Sequence, residues 1–390
     1  MTGCDPGSAP AVDTLGEAVI DRAGMRALVD VLRTRGLTVI GPTLREQALV
    51  LTELESADQL PYGWGVELDA GRYRLRQRSD GAAFANSAGP QSWKSFLHPA
   101  RVRQWRAERT EGELVVEADG DAPHRFAFFG VRPCDLRAIA VQDRVLNTGP
   151  HPDPVYRSRR TGAFIISVEC TEPGGTCFCV SMGGGPAAGP GYDMVLTELA
   201  DSQGHRFWIR AGTPEGAEVL AELPARDAHE TTRAVARRAV EAAADRMGRT
   251  MPGTDLHHLM ADTLEAPRWD DVAARCLTCG NCTMVCPTCF CTTTEDVTDL
   301  TGDHAERWRL WDSCFDRDFS LLSGGPVRSS PKSRYRQWLT HKLGTWHDQF
   351  GSSGCVGCGR CVAWCPVGID ITEEAAALHD WTRHEETESP

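Results

Sequence analysis

The sequence lacks the features of a membrane-spanning or secreted protein. No apolar run approaches the ~20 residues that a helix needs to cross a bilayer. Residues 1–6 contain no basic segment followed by an apolar stretch, so no signal peptide is predicted. We therefore expect a cytoplasmic protein without a membrane span.

An excess of positive charge is also lacking. The chain has 41 basic and 54 acidic residues, which gives a net charge of −13. A protein that binds nucleic acid usually presents a basic face, so this balance argues against a nucleic-acid partner. We attribute the acidity to solubility.

Signatures of catalysis and of nucleotide binding are missing as well. None of the 12 histidines forms a pair with metal-binding spacing. Residues 183–186 are glycine-rich, but a proline stands where a nucleotide-binding helix would begin, so they are not a Rossmann fingerprint. The sequence contains no Walker motif and no nucleophile elbow. We therefore expect a non-catalytic chain that binds no nucleotide and no flavin itself.

Cysteine, by contrast, is abundant, with 16 residues. In a chain without a secretion signal, clustered cysteines indicate metal binding rather than disulfides. Two runs share the pattern Cys-x2-Cys-x2-Cys-x3-Cys-Pro. They consist of Cys276, Cys279, Cys282 and Cys286, and of Cys355, Cys358, Cys361 and Cys365.

This pattern is the bacterial ferredoxin run. Three closely spaced cysteines bind one [4Fe-4S] cluster, and the cysteine before proline binds the other cluster. The predicted ligands are Cys276, Cys279, Cys282 and Cys365 (the first set), and Cys355, Cys358, Cys361 and Cys286 (the second set). Paired C-x2-C motifs also bind zinc, but a zinc ribbon has no use for the third closely spaced cysteine or for the Cys-Pro step. The sequence therefore predicts two [4Fe-4S] clusters and a role in electron transfer.

The chain is long enough for two or three domains. Residues 1–14 are small and polar and predict a flexible tail. In residues 15–250, β-rich runs at 125–130 and 162–168 alternate with helical patterns, which predicts a mixed α/β domain. An Ala/Arg/Glu-rich stretch predicts a long helix over residues 226–247.

Residues 255–390 predict a mainly helical, ferredoxin-like domain, so the whole chain is expected to be α+β. Ser330 and Pro331 predict the start of a helix. Its apolar face follows a 3.6-residue period and consists of Tyr335, Trp338, Leu339, Leu343 and Trp346. Thr372, followed by two glutamates, predicts the N-cap of a last helix.

Four further cysteines lie in the predicted α/β domain: Cys134, Cys170, Cys177 and Cys179 (the third set). Cys134 is expected at a strand-to-helix turn, where the helix N-terminus favours a thiolate. Cys170 ends a predicted strand. Sites form at the carboxyl ends of parallel strands, so the four could converge on a third [4Fe-4S] cluster. Alternatively, they are buried free thiols that pack as small apolar side chains.

Three cysteines remain near the first ferredoxin run, namely Cys289, Cys291 and Cys314. Both ferredoxin clusters already have four ligands without them. We interpret these three as thiols that pack around the clusters or hydrogen-bond to the ligands. Cys4, in the predicted tail, has no predicted role.

Five segments taken together resemble one family. They are FGVRPCDL at 129–136, Cys170 with CFC at 177–179, CLTCGNCTMVCPTCFC at 276–291, WDSCF at 311–315 and CVGCGRCVAWCPVGI at 355–369. The set resembles the iron–sulfur beta subunit of cytosolic nickel–iron hydrogenases of the sulfhydrogenase type. The A subunit of anaerobic sulfite reductase is related to that family. The resemblance runs from about residue 60 to the predicted last helix, and the first 50 or so residues match only loosely.

The resemblance implies a subunit that relays electrons between two kinds of partner. One is a flavin subunit that handles NAD(P)H, and the other is a nickel–iron hydrogenase core of small and large subunits. It also implies a third [4Fe-4S] cluster on Cys134, Cys170, Cys177 and Cys179. The chain shows no nickel ligands of its own.

Two other functions stay open from the sequence. The chain could be the electron-input subunit of an anaerobic sulfite or polysulfur reductase, which the cysteine pattern does not distinguish from a hydrogenase subunit. It could also be an iron–sulfur redox sensor, although the acidic charge and the lack of a DNA-binding helix pair argue against a sensor.

Overall fold

The computed structural model describes residues 15–110, 112–118 and 124–388, with side chains as far as residue 384. The tail predicted at residues 1–14 lies outside the described residues, as does Cys4. Among the described helices, none combines the length and the apolar character needed to cross a bilayer.

The strands are β1 Glu17–Ile20, β2 Thr38–Arg45, β3 Ala48–Glu53, β4 Trp64–Asp69, β5 Arg72–Gln77, β6 Arg101–Thr110, β7 Glu113–Ala118, β8 Phe126–Val131, β9 Phe164–Val168, β10 Met194–Asp201, β11 Gly204–Ala211, β12 Thr292–Thr298, β13 His304–Trp311, β14 Leu321–Leu322 and β15 Gly325–Pro326.

The α-helices are α1 Arg22–Thr34, α2 Lys94–Leu97, α3 Pro133–Leu146, α4 Pro154–Arg160, α5 Pro214–Ala221, α6 Glu230–Ala244, α7 Leu256–Asp262, α8 Arg268–Arg275, α9 Asn281–Met284, α10 Pro331–Thr340, α11 Trp346–Phe350, α12 Arg360–Ala363 and α13 Ile371–Glu388. A π-helical turn, His341–Thr345, joins α10 to α11.

A seven-stranded sheet in the order β1-β11-β10-β9-β8-β2-β3 forms the centre of the N-terminal part. Its inner pairs, β10–β9, β9–β8 and β8–β2, are parallel. Strands β8 and β9 are almost entirely buried, as expected for parallel strands covered on both faces. The β-rich runs predicted at 125–130 and 162–168 are these two strands.

Two apolar cores cover the sheet. On one face, α1 and α5 pack through residues such as Leu28 and Val219. On the other face, α3 and α4 pack through residues such as Ile139 and Tyr156. Because β8 and β9 are parallel neighbours, the loops that follow them leave from the same edge of the sheet. Cys134 is the second residue of α3, which follows β8, and Cys170 lies in the loop after β9.

The cysteine-rich C-terminal part has its own core. It is built mainly from α7, α8, α10 and α13 around Trp269. The helix predicted from Ser330 begins there with a capping box, and Pro331 is its first residue. All five residues of its predicted apolar face are buried.

A second sheet was not predicted. It has the order β12-β13-β6-β7, with β13 and β6 antiparallel. Hairpin β6–β7 comes from the N-terminal part, and hairpin β12–β13 lies between the two ferredoxin runs. The sequence TTTEDVT of β12 is polar and exposed, so it carries no apolar alternation that would indicate a strand. The division into domains at residues 250–255 stays a prediction, and this sheet contains strands from both sides of it.

Two sequence predictions about helix ends were wrong. The helix predicted over 226–247 is only α6, because the backbone of Arg226 pairs with Val19 beside β1, with N–O distances of 2.8 and 3.0 Å. Thr372 does not cap the last helix. Instead, Asp370 Oδ1 accepts the N–H of Thr372 at 2.9 Å and its hydroxyl at 2.7 Å.

Candidate iron–sulfur sites

The four cysteines of the first set line one pocket. Apolar and aromatic side chains form most of the remaining wall, including Phe315, Tyr335, Trp338, Ile369 and Ile371. Cys361, which is predicted to belong to the second set, also lines this pocket. Cys276, Cys282 and Cys365 are half-buried in this pocket, and Cys279 is exposed.

Short helices and glycine turns position these sulfurs. Cys276 caps the end of α8, and Gly280, with φ of +70°, precedes α9, which carries Cys282. The N–H of Thr278 lies 3.4 Å from Cys276 Sγ, and the N–H of Ile369 lies 3.3 Å from Cys365 Sγ. Such N–H donors favour sulfur that carries negative charge.

In both ferredoxin runs, the cysteine before proline lies with the opposite run. The charge of Cys365 raises the pKa of Cys276 and of Cys282, so the three side chains lie near one another. Cys286 acts on all three closely spaced cysteines of the second run. This is the arrangement that the crossed ligand sets require, and the assignment of ligands itself stays a prediction.

The second set includes a buried positive charge. Lys342, in the π-helical turn, is 4% exposed. Its Nζ donates to Cys286 Sγ at 3.4 Å, to Thr288 Oγ1 at 3.2 Å and to the Gly354 carbonyl at 3.2 Å. Burial lowers its pKa, but the charges of neighbouring cysteines, Cys286 first among them, raise it well above its usual value. A buried ammonium needs compensating negative charge, which cluster thiolates would supply.

The structure brings the third set together beside the second. The charges of Cys170 and Cys358 raise the pKa of both Cys177 and Cys179. The charges of Cys358 and Cys179 raise the pKa of Cys134. The thiol of Cys177 also lies 3.9 Å from the Cys358 carbonyl oxygen. The α/β part and the ferredoxin part therefore meet at these cysteines.

Two glycines permit this close approach. A Cβ on Gly357 would lie 2.5 Å from the backbone of Cys179, and a Cβ on Gly359 would lie 2.2 Å from the Thr176 carbonyl oxygen. Both glycines also have positive φ. The N–H of Phe178 donates to the Gly357 carbonyl at 2.9 Å. Any larger residue would push the two loops apart.

Burial favours the neutral form of several of these thiols. It raises the pKa of Cys355 and Cys179 to about 12 and that of Cys177 to about 11, and it raises the pKa of Cys282 well above its usual value. A cluster must therefore displace protons when it binds.

The expectation that the helix N-terminus favours a thiolate at Cys134 was wrong. Its pKa is raised well above the usual value, first by burial and then by the charge of Asp135. Cys286 shows the opposite shift. Its pKa is lowered by a hydrogen bond from Cys289 and by the charge of Lys342, which outweigh burial.

Four sulfurs around one zinc ion lie about 3.8 Å apart, from Zn–S bonds of about 2.3 Å. Among the described residues, one group of three possible metal ligands lies within 4.8 Å of one another, and it consists of Asp255, His257 and His258, without a cysteine.

Sequence reasoning missed two lysines. Lys342 lies four residues after Trp338, on the buried face of its helix, and a lysine at such a position was the available signal. Lys94 is 5% exposed; its Nζ lies 3.1 Å from the Cys289 carbonyl oxygen and over the ring of Trp311. No pattern in the sequence marks Lys94 as buried.

Comparison with known proteins agrees with this geometry. Residues 275–369 match the 4Fe-4S dicluster domain family. The chain is 34% identical over 280 residues to sulfhydrogenase 2 subunit beta of Pyrococcus furiosus, which covers 71% of this chain and 79% of the relative. The chain belongs to the sulfhydrogenase beta-subunit family. No solved structure matches it.

The family resemblance predicted from the sequence is therefore confirmed. In this sulfhydrogenase beta-subunit homologue, a mixed α/β chain contains a 4Fe-4S dicluster domain. The matched residues include all eight cysteines of the two ferredoxin runs and none of the third set. The number of clusters and the individual ligands stay predictions.

Proposed function

We propose that this chain is the electron relay of a hydrogenase complex and carries three [4Fe-4S] clusters in a row. One end of the row faces a flavin subunit that handles NAD(P)H, and the other faces a nickel–iron core of small and large subunits. Membership in the sulfhydrogenase beta-subunit family and the dicluster domain support the relay function. A cytoplasmic location and a non-catalytic role belong to the same proposal.

The position of Cys358 carries the proposal. It belongs to the predicted second set, and its charge raises the pKa of three cysteines of the third set, namely Cys134, Cys177 and Cys179. On the other side of the second set, the charge of Cys282 of the first set raises the pKa of Cys361. The second set therefore lies between the other two, which supports a linear path across the chain.

A [4Fe-4S] cluster supplies a one-electron carrier when bound. The residues of this chain would hold and tune it. The N–H of Gly357 lies 3.4 Å from Cys355 Sγ, and Lys342 lies beside Cys286, so both favour added negative charge at the second set. Buried side chains such as Val356 and Val362 keep water away from it.

The two ends of the row reach the surface. Next to the first set, Leu277 is 61% exposed and Cys279 is exposed. Next to the third set, Val180 is 39% exposed. Exposed apolar residues beside the cysteine sets suit the docking of redox partners at both ends. A relay with two open ends needs two partners.

Iron and sulfide analysis of anaerobically prepared protein tests the cluster number. Three clusters require about 12 irons per chain and two require about 8. We expect Cys177→Ala to lose about four irons and Cys4→Ala, outside all predicted sets, to lose none. A count near eight in both the wild type and Cys177→Ala would show that the third set binds no cluster.

Purification of the tagged chain with its partners tests the rest. We expect flavin and nickel in the complex, and an isolated subunit that dithionite reduces but that oxidises neither NADH nor hydrogen. A sirohaem-containing partner in place of a nickel protein would replace this proposal with the sulfite reductase alternative.

A further inference from the structure

Two buried hydrogen-bond donors line the pocket of the first set and have no partner. They belong to Tyr335 and Trp338, which share this pocket with the four cysteines of the first set. The two residues are only 2% and 3% exposed. Among the described residues, neither the hydroxyl of Tyr335 nor Nε1 of Trp338 has a hydrogen-bond partner. The pocket therefore has two donors that are free to bind a ligand.

Helix α10 brings these two donors together. Tyr335 and Trp338 are three residues apart and so lie on the same face of the helix. Their ring centroids lie 5.5 Å apart in an edge-to-face arrangement. The ring of Phe315 packs against both, at 6.2 Å from Tyr335 and 5.8 Å from Trp338. Packing therefore holds both rings inside the core, where their polar atoms do not reach water.

An unpaired buried donor is costly. It loses its hydrogen bonds to water without replacement, which costs about 1–3 kcal/mol. Buried polar side chains in folded proteins therefore nearly always have a partner. Phenylalanine at both positions would provide the same apolar face without this cost. The hydroxyl and the indole N–H thus indicate an acceptor inside the pocket.

Sulfur is the acceptor that suits this pocket. Apart from the cysteines, most of the wall is apolar. The other polar side chain in the wall, Asn281, already donates to the Trp364 carbonyl at 2.5 Å. A buried water needs two to four polar partners, which such a wall offers only through its cysteines. An iron–sulfur cluster, in contrast, presents sulfur atoms that accept hydrogen bonds directly.

Both groups keep the hydrogen that they would donate. An indole N–H is a donor only. Burial, and then the charges of Glu374 and Cys282, raise the pKa of Tyr335 well above its usual value. The hydroxyl therefore stays protonated at physiological pH.

We propose that Tyr335 and Trp338 donate hydrogen bonds to the [4Fe-4S] cluster of the first set and raise its reduction potential. Reduction adds one electron to the cluster, and a hydrogen-bond donor stabilises the more negative state. Both protons stay on their donors, and no covalent bond changes. The inference rests on the proposed function, because it requires a cluster on the first set.

EPR-monitored redox titration of the anaerobically prepared, cluster-containing chain tests the effect. Tyr335→Phe removes only the hydroxyl oxygen. We expect it to lower the equilibrium constant for reduction of the first cluster about tenfold, which corresponds to about 59 mV for a one-electron couple. Trp338→Phe should shift the potential in the same direction, and the other clusters should keep their potentials.

Trp269→Phe is the matched control. Trp269 is buried in the same core, with its ring centroid 6.3 Å from that of Tyr335. Its Nε1 already donates to the Thr263 carbonyl at 2.6 Å, and the residue does not line the pocket. Losing this indole should therefore leave the potential of the first cluster unchanged. An equal shift in Trp269→Phe and Tyr335→Phe would assign the effect to core packing and overturn the inference.

Exchangeable protons give a second readout that core packing does not produce. ENDOR spectra of the reduced protein in water and in heavy water show which protons near a cluster exchange with solvent. We expect the double variant Tyr335→Phe/Trp338→Phe to lose two such proton couplings, and Tyr335→Phe alone to lose one. The backbone donors at Thr278 and Ile369 should keep theirs.

Iron analysis separates this inference from the proposed function. If Cys279→Ala loses no iron, the first set binds no cluster, and both proposals fail. If Cys279→Ala loses about four irons but Tyr335→Phe changes neither the potential nor the proton couplings, this inference alone is wrong.

Discussion

Arg360 and Asp135 form a buried, two-pronged ion pair between the two halves of the chain. Nη1 of Arg360 lies 2.7 Å from Oδ1 of Asp135, and Nη2 lies 2.9 Å from Oδ2. Arg360 stands between Cys358 and Cys361, and Asp135 follows Cys134. The pair therefore fixes the second set relative to the third, in a place where neither charge reaches water.

Breaking this pair on one side should be costly. Asp135→Asn leaves the Arg360 guanidinium buried without its counter-charge, and we expect a loss of about 3–5 kcal/mol in the free energy of unfolding. The matched control is Asp296→Asn, which breaks the exposed pair with Arg307 and should cost little, because water screens exposed charges. Denaturant titration measures both. Equal losses in the two variants would contradict the role of burial.

The crossed ligand sets predict which cluster a single substitution affects. Cys286→Ser should alter the cluster bound by Cys355, Cys358 and Cys361, and leave the nearer ferredoxin run largely intact, because Cys286 lies with the second run. EPR of the reduced protein can show this as a changed spectrum and a loss of magnetic coupling. An effect confined to the first set would show that the ligands do not cross.

Lys342 should raise the reduction potential of the second cluster. Replacing it with methionine removes a positive charge 3.4 Å from Cys286 Sγ, which disfavours the added electron. We expect the potential to fall on the order of 100 mV, from the strength of a charged hydrogen bond. EPR-monitored redox titration measures it. Lys332→Met, at an exposed pair with Asp270, should leave all potentials in place.

Gly359 and Gly351 offer a matched test of the contact between the halves. Both have positive φ, +73° and +67°, but a Cβ meets the Thr176 carbonyl oxygen only at Gly359. Gly359→Ala should therefore destabilise the chain more than Gly351→Ala, which should cost about 1 kcal/mol. It should also release the iron of the third set. Similar stability and iron content in both variants would argue against close packing of these loops.

His98 should make the chain sensitive to mild acid. It is 1% exposed, and burial lowers its pKa to about 3. Among the described residues, neither ring nitrogen has a hydrogen-bond partner. Below pH 6.5, His98 binds a proton in the unfolded chain but not in the folded chain. The free energy of unfolding therefore falls as the pH falls from 6.5 toward 3.

The expected loss from His98 is about 1.4 kcal/mol for each pH unit below 6.5. Denaturant titrations of the wild type and His98→Leu at several pH values measure it as a difference that grows toward acid. His151→Leu, at an exposed position, serves as the control. A constant difference between wild type and His98→Leu over this range would refute the assignment.

Local patterns predicted much of the molecule. The apolar runs that became β8 and β9, and the periodic face around Trp338, need only short stretches of sequence to be recognised. The spacing of the ferredoxin cysteines likewise carries its own chemistry. In contrast, β12 is recognisable only through its pairing with β13, because its polar side chains show no alternation.

Long-range relationships explain the other misses. Arg226 leaves its predicted helix because a distant strand offers its backbone a partner. From the sequence alone, Lys342 is an ordinary polar residue, and only the fold places its ammonium beside Cys286 Sγ.

The shared sheet has a consequence for synthesis in the cell. Arg103 on β6 and Glu306 on β13 pair across 203 residues of sequence. While the chain is being translated, β6 emerges from the ribosome long before the strand that completes its hydrogen bonds. Its open edge is then available to other nascent chains. Efficient production of this protein should therefore depend on chaperones that shield the first hairpin until translation is nearly finished.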